Sequence, residues 1–68
     1  TMDISVKFGR KVKELRLQKK MSQGGLAKIL GVHPTYISCI ERGVRNMELK
    51  NIEKLAKALG VMPSELLE

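Results

Sequence analysis

The chain has 68 residues and a formal net charge of +6, from 13 Lys and Arg against 7 Asp and Glu. This length predicts one domain that buries roughly 60% of its unfolded surface, without room for a separate effector or catalytic domain. The positive charge suits an anionic partner, whereas Phe8 and Tyr36, the two aromatic residues, are too few for a protein that stacks on single-stranded bases.

Cys39 is the single cysteine, so the sequence excludes an internal disulfide and favours a reducing cytoplasm. No apolar run approaches the roughly 20 residues of a membrane span, and no signal-peptide pattern opens the chain. His33 and Cys39 fall short of a tetrahedral metal site, and a redox sensor at Cys39 is the less favoured alternative because a resolving cysteine is missing. We therefore expect no metal, cofactor, small-molecule ligand, membrane association or catalysis.

The first helix is predicted over about residues 5–18. Phe8, Val12 and Leu15 recur there at helical spacing, with charged residues between them. Gly9 interrupts this helix at a cost of up to about 1 kcal/mol relative to alanine. Close packing against another element is the expected reason for that glycine.

Residues 23–43 contain two short apolar stripes separated by a tight turn. The stripes consist of Leu26, Ala27 and Leu30 and of Ile37 and Ile40. Ser22 is the expected N-cap of the second helix, and the third helix is predicted over about Pro34–Arg42. Such short spacing brings the two helices into direct contact.

The turn itself is Gly31-Val32-His33. Gly31 can adopt the left-handed conformation that ends a helix, and Pro34 has no N–H to lose at a first helical position. His33 precedes a proline, which keeps it out of the α region and makes it the natural N-cap. Helix, tight turn and helix in this order predict a DNA-binding helix-turn-helix.

Two further helical segments follow a basic connector at residues 44–47. The fourth helix ends at Gly60, and Pro63 opens a last short helix whose N-terminal end suits Glu65. The apolar stripe of the fourth helix consists of Leu49, Ile52, Leu55, Ala56 and Leu59. Because no β alternation is present, we predict one all-α domain of five short helices over residues 1–68.

Several motifs match a known family. They are Met21-Ser22-Gln23, Leu30-Gly31-Val32, Tyr36-Ile37-Ser38, Ile40-Glu41-Arg42-Gly43 and Leu55-Ala56-Lys57-Ala58-Leu59-Gly60. From about Phe8 to Leu67 the chain resembles the Cro/repressor-type (Xre) helix-turn-helix regulators, and most of all the controller proteins of restriction–modification systems. The resemblance implies a lambda-repressor-like fold and a stand-alone homodimer. Controllers usually have arginine and glycine where this chain has Pro34 and Cys39, so their operator does not carry over.

The third helix presents mostly short polar side chains opposite its isoleucines. On a helical wheel this outward face holds Thr35, Ser38, Cys39 and Arg42, with Pro34 and Tyr36 at its edges. Thr35 and Ser38 can hydrogen-bond to either base type, and an ordinary solvated surface is the alternative interpretation. We predict contacts with DNA bases from Pro34, Thr35, Ser38 and Cys39.

Residues around this helix are candidates for contacts with the DNA backbone. Gln23 begins the second helix, and helix N-termini attract phosphate. Arg42, Arg45 and Asn46 follow the third helix and can straddle the backbone. For Tyr36, a phosphate contact and a place at the edge of the core are equally favoured. The predicted backbone contacts are Gln23, Tyr36, Arg42, Arg45 and Asn46.

Two further sets of residues have expected structural roles. Glu41 lies in the last turn of the third helix, where the helix dipole disfavours a carboxylate, and the family resemblance implies an ion pair with Arg16. The C-terminal part carries more apolar residues than so small a monomer needs. The candidates for a two-fold dimer interface are Leu49, Met62, Leu66 and Leu67.

The combined prediction is a sequence-specific regulator of transcription that binds double-stranded DNA as a homodimer on a pseudo-palindromic operator. It would cover a promoter or present a surface to RNA polymerase. An antitoxin of a toxin–antitoxin pair, and a protein-interaction module that does not use DNA, are the alternatives. The operator, the regulated genes and the sign of regulation stay open.

Overall fold

The computed structural model describes residues 3–68, which form helices and connecting turns without a β-strand. In chain order these are α1 (Ile4–Gln18), α2 (Gln23–Leu30), α3 (Pro34–Glu41), α4 (Leu49–Leu59) and a 3-10 helix (Pro63–Leu67). The expected five α-helices are therefore four, because the last segment is too short to propagate as an α-helix and adopts the tighter 3-10 form. None of the helices within residues 3–68 is long and apolar enough to cross a membrane.

One core joins all five elements. Its buried apolar side chains are Phe8, Val12, Leu26, Ala27, Leu30, Ile37, Ile40, Leu55, Ala56, Leu59 and Leu66. The stripes predicted for α2 and α3 are confirmed as core. In α4 the stripe is shorter than expected, because Leu49 is 84% exposed and Ile52 is half-buried.

Leu66 corrects the predicted dimer interface. Its side chain is fully buried in the core, so it cannot contact a partner. A 3-10 helix turns by about 120° per residue rather than the 100° of an α-helix. On this 3-10 helix Leu66 faces the core, and Leu67, the next residue, stays 49% exposed.

Backbone contact between α1 and α3 explains Gly9. A Cβ at this position would collide with the carbonyl oxygen of Ile40 and lie 2.7 Å from that of Glu41. Any side chain would push the end of α3 away from α1. The close packing expected from the sequence is therefore present, and it places the last turn of α3 directly on α1.

The turn between α2 and α3 has the predicted local geometry. Ser22 Oγ accepts a hydrogen bond from the N–H of Gly25 at 2.9 Å, and Gly31 ends α2 in the left-handed conformation (φ 72°, ψ 32°). His33 Nδ1 accepts from the N–H of Thr35 at 3.1 Å. Both predicted N-caps are confirmed, and together they fix where α2 and α3 begin.

Candidate nucleic-acid interface

The outward face of α3 carries the four residues predicted to contact bases. Pro34 and Thr35 are exposed, and Ser38 and Cys39 are half-buried. We name these four residues the recognition face. The opposite side of α3 is buried through Ile37, Ile40 and Glu41. The helix therefore separates into a side that the fold uses and a side that solvent or a partner can reach.

Arg42 borders the recognition face at the end of α3. It is exposed, and its Nη2 lies 3.5 Å from Cys39 Sγ, where it donates a weak hydrogen bond. Cys39 is a free thiol. The guanidinium thus lies next to the predicted base contacts and supplies positive charge there.

Arg45, Tyr36 and Asn51 form a cluster at the other border. The Arg45 guanidinium carbon lies 4.6 Å from the centroid of the Tyr36 ring, within the range of a cation–π contact. The Tyr36 hydroxyl accepts a hydrogen bond from Asn51 Nδ2 at 3.3 Å. Asn51 is in the first turn of α4 and was not predicted, since it is 15 residues away from Tyr36 and no local pattern links the two.

Asn46 lies in the connector after α3. Ser5 Oγ donates a hydrogen bond to Asn46 Oδ1 at 2.8 Å, which ties this connector to the first turn of α1. The amide nitrogen of Asn46 is not used in that bond. The exposed Asn46 side chain therefore keeps its donor group for a partner such as a phosphate.

Gln23 has a different orientation from the one expected for a phosphate contact. Its Nε2 donates to Glu41 Oε1 at 3.0 Å, and the side chain is half-buried. One amide hydrogen is therefore used inside the protein. The structure makes Gln23 a link between the start of α2 and the end of α3.

Arg16 holds the same carboxylate from α1. Its Nε lies 2.6 Å from Glu41 Oε2 and its Nη2 lies 3.1 Å from Oε1, a bidentate ion pair. Its Nη1 donates to the carbonyl oxygen of Met21 at 2.7 Å. Arg16 and Glu41 are only 7% and 8% exposed. The carboxylate at the unfavourable end of the α3 dipole is thus compensated by three donated hydrogen bonds. We name Arg16, Gln23 and Glu41 the anchor network.

Three of the four predicted interface residues remain accessible. Leu49 is 84% exposed, Met62 65% and Leu67 49%. Leu67 also lines an open groove of about 190 Å³ together with Ile4, Ser5, Phe8, Arg45, Asn46, Met47 and Ile52. The groove is mostly apolar and lies between the start of α1 and the connector to α4.

Comparison with known proteins adds four observations. The helix-turn-helix family model HTH_3 matches residues 12–66. The chain is 55% identical to the control protein C.BamHI of Bacillus amyloliquefaciens over 69 residues, which covers 100% of this chain and 85% of that protein. Its structure is similar to the restriction–modification controller protein C.AhdI from Aeromonas hydrophila, with a TM-score of 0.87 and 48% identity over 91% of this chain and 94% of that one. It is also similar to SinR, the master regulator for biofilm formation, in a complex with DNA, with a TM-score of 0.84 and 34% identity over 90% and 98% of the two chains.

Proposed function

The chain belongs to the Xre-type helix-turn-helix family of DNA-binding transcriptional regulators, and from this premise we propose that it is the controller of a restriction–modification system. C.BamHI and C.AhdI, which are similar over nearly their whole length, are control proteins of this kind. The observation that carries the proposal is the recognition face, which lies outside the core on α3, with Arg42 next to Cys39 and Arg45 over the Tyr36 ring.

In the proposed complex, α3 enters the major groove of double-stranded DNA. Thr35 and Ser38 hydrogen-bond to base edges, and Pro34 makes apolar contacts only. Arg42 and Arg45 bind phosphates on either side, which fixes the register of the helix on the duplex. The formal net charge of +6 favours approach to DNA over long distances.

We propose a homodimer on a pseudo-palindromic operator, because two equal subunits present two recognition faces to two half-sites. The exposed Leu49, Met62 and Leu67 supply apolar surface for the contact between subunits. Regulation then follows from occupancy of the operator in the cytoplasm. The bound dimer covers a promoter or presents a surface to RNA polymerase. No step in this mechanism requires catalysis or a cofactor.

A selection from randomised duplex DNA, followed by footprinting, tests this proposal. We expect enrichment of a two-fold symmetric sequence whose half-sites lie about one helical turn, roughly 34 Å, apart. The matched control is the double variant Thr35→Ala/Ser38→Ala, which keeps the charge but loses the polar groups of the recognition face. If wild-type protein enriches no sequence and protects no duplex, DNA binding is excluded and a protein-interaction module is favoured instead.

Sedimentation at micromolar concentration tests the dimer separately. We expect wild type to sediment as a dimer and Leu49→Lys/Met62→Lys to shift toward the monomer, because charges placed opposite each other across a two-fold axis repel. Lys13→Glu, at an exposed position of α1, is the control for surface charge. A monomer at every concentration would contradict the homodimer.

A further inference from the structure

We propose that Asn51 is a positioning residue for DNA binding, because it orients the hydroxyl of Tyr36 as a hydrogen-bond donor to a DNA phosphate. The proposal rests on the function proposed above. It assigns α4, which lies outside the helix-turn-helix, a part in the contact with the DNA backbone. The cluster of Tyr36, Arg45 and Asn51 carries the argument.

The hydrogen bond between Asn51 and Tyr36 has a direction that matters for a DNA contact. Asn51 Nδ2 donates to the Tyr36 hydroxyl oxygen at 3.3 Å. A tyrosine hydroxyl has one hydrogen and can also accept. Because the amide of Asn51 supplies the hydrogen in this bond, the hydroxyl hydrogen of Tyr36 is directed elsewhere.

A DNA phosphate needs a hydrogen-bond donor from the protein. Phosphate oxygens in the DNA backbone only accept hydrogen bonds, so a protein group must donate in order to bind them. A hydroxyl that already accepts from Asn51 has the polarity that a phosphate requires. A hydroxyl that donated to Asn51 would meet a phosphate with its oxygen, and the two oxygens would repel each other.

Arg45 places a positive charge next to Tyr36. The Arg45 guanidinium lies over the Tyr36 ring, 4.6 Å from its centroid, and the Arg45 side chain is exposed. A phosphate attracted by Arg45 therefore arrives close to the same ring. The stacked guanidinium and the amide of Asn51 contact Tyr36 from different directions and restrict its movement.

Asn46 and Gln23 show that this polarity differs among the polar side chains near α3. Asn46 Oδ1 accepts a hydrogen bond from Ser5, so the amide N–H groups of Asn46 stay available to donate to a phosphate. The Tyr36 hydroxyl likewise accepts from Asn51 and keeps its hydrogen for a partner. Gln23 instead donates one of its two amide hydrogens to Glu41. The internal hydrogen bonds of Tyr36 and Asn46 thus use their acceptor oxygens, whereas the internal hydrogen bond of Gln23 uses a donor N–H.

A double-mutant cycle on DNA affinity tests the proposal. The four proteins are wild type, Tyr36→Phe, Asn51→Asp and the double variant, each titrated with the selected operator and with a random duplex. Aspartate can only accept at neutral pH, so it turns the hydroxyl hydrogen of Tyr36 toward itself and away from the DNA. Its negative charge also weakens binding, but this effect is present with and without the hydroxyl and cancels in the cycle.

We expect Tyr36→Phe to weaken binding to both duplexes about tenfold, the usual scale for a hydrogen bond to a charged group. Asn51→Asp should cost about tenfold more in the wild-type background than in the Tyr36→Phe background. Urea midpoints of the four proteins, measured by circular dichroism, separate this coupling from changes in folding. The salt dependence of the coupling should be flat, because the added charge is common to both arms.

Equal losses from Asn51→Asp in the two backgrounds would overturn the proposal, as would an unchanged affinity of Tyr36→Phe. If the wild-type protein itself binds neither duplex, the proposed function fails, and this inference fails with it. Wild-type binding without coupling overturns the role of Asn51 alone. The two failures are therefore distinguishable within one set of titrations.

Discussion

The two sides of α3 differ in their contacts with the rest of the fold. The inner side is fixed by burial of Ile37 and Ile40 and by the anchor network, in which Glu41 receives hydrogen bonds from two other helices. The recognition face lies outside the core. One set of residues thus sets the orientation of the helix, and a separate, more accessible set carries the proposed contacts with bases. Mutations on the two sides should therefore change different measured quantities.

The largest expected effect is on the inner side. Arg16→Ala and Glu41→Ala should each lower the free energy of unfolding by about 3–5 kcal/mol, because each leaves a buried charge without its partner. Urea unfolding followed by circular dichroism measures this loss. In so small a domain the variants should be largely unfolded, which the same spectra would show as lost helix signal.

Arg10→Ala and Glu14→Ala are the matched controls for this first prediction. They remove the same side chains from exposed positions of α1 and should stay within about 0.5 kcal/mol of wild type. Wild-type urea midpoints for both Arg16→Ala and Glu41→Ala would show that the anchor network does not stabilise α3.

The recognition face should give the next largest effect, on specificity rather than stability. Thr35→Ala and Ser38→Ala should each reduce discrimination at one base pair by about 0.5–1.5 kcal/mol, the scale of a single neutral hydrogen bond. Pro34→Arg should add affinity and a preference for guanine at one position per half-site, because arginine can donate two hydrogen bonds to guanine. Selections from randomised operators measure all three variants.

Thr35→Ala and Ser38→Ala should keep wild-type unfolding curves, because both side chains lie outside the core. The prediction would be contradicted if both alanine variants selected the same sequence as wild type and if wild type already required guanine opposite Pro34. Bases would then be contacted by other residues. A large loss of stability in Thr35→Ala would instead show that the two sides of α3 are not independent.

Gln23→Ala should have a smaller effect than either partner of the ion pair. Glu41 keeps both hydrogen bonds from Arg16 in this variant, so we expect a loss of about 1 kcal/mol in the free energy of unfolding. Gln18→Ala, at the exposed end of α1, is the control. Equal urea midpoints for the two glutamine variants would mean that the Gln23 hydrogen bond contributes nothing to folding.

The smallest expected effect is on the salt dependence of DNA binding. Arg42→Ala and Arg45→Ala should each flatten the slope of log K against log salt by about 0.9, for specific and random duplexes alike. Arg42→Lys and Arg45→Lys keep the charge and should keep the slope. Slopes that stay at the wild-type value in both alanine variants would remove these arginines from the interface.

Most of the fold could be predicted because its signals are local. Apolar spacing marked the buried sides of α2 and α3, and the Gly31 turn, with the caps at Ser22 and His33, depends on residues only a few positions apart. The 3-10 form of the last segment was missed because so short a segment has too few apolar positions to show whether its period is 3.0 or 3.6 residues. The burial of Leu66 was missed for the same reason.

The polar contacts around α3 could not be predicted in the same way. The pairs Gln23–Glu41, Tyr36–Asn51 and Ser5–Asn46 are separated by 18, 15 and 41 residues along the chain. Such pairs form only after the core has brought their helices together, so no short motif encodes them. Glu41 with Arg16 was expected because the family resemblance supplied the partner.

The bare backbone contact at Gly9 limits how this protein could be redesigned. Where side chains separate two helices, their spacing can be tuned by exchanging one side chain for a larger or smaller one. Between α1 and α3 no such adjustable layer exists, because the Gly9 backbone meets the carbonyl groups of Ile40 and Glu41 directly. A foreign recognition helix grafted at positions 34–39 would keep its tilt only if residues 40 and 41 and the glycine below them were left unchanged. The sequence of the helix could then be changed without changing how the helix is held in the fold.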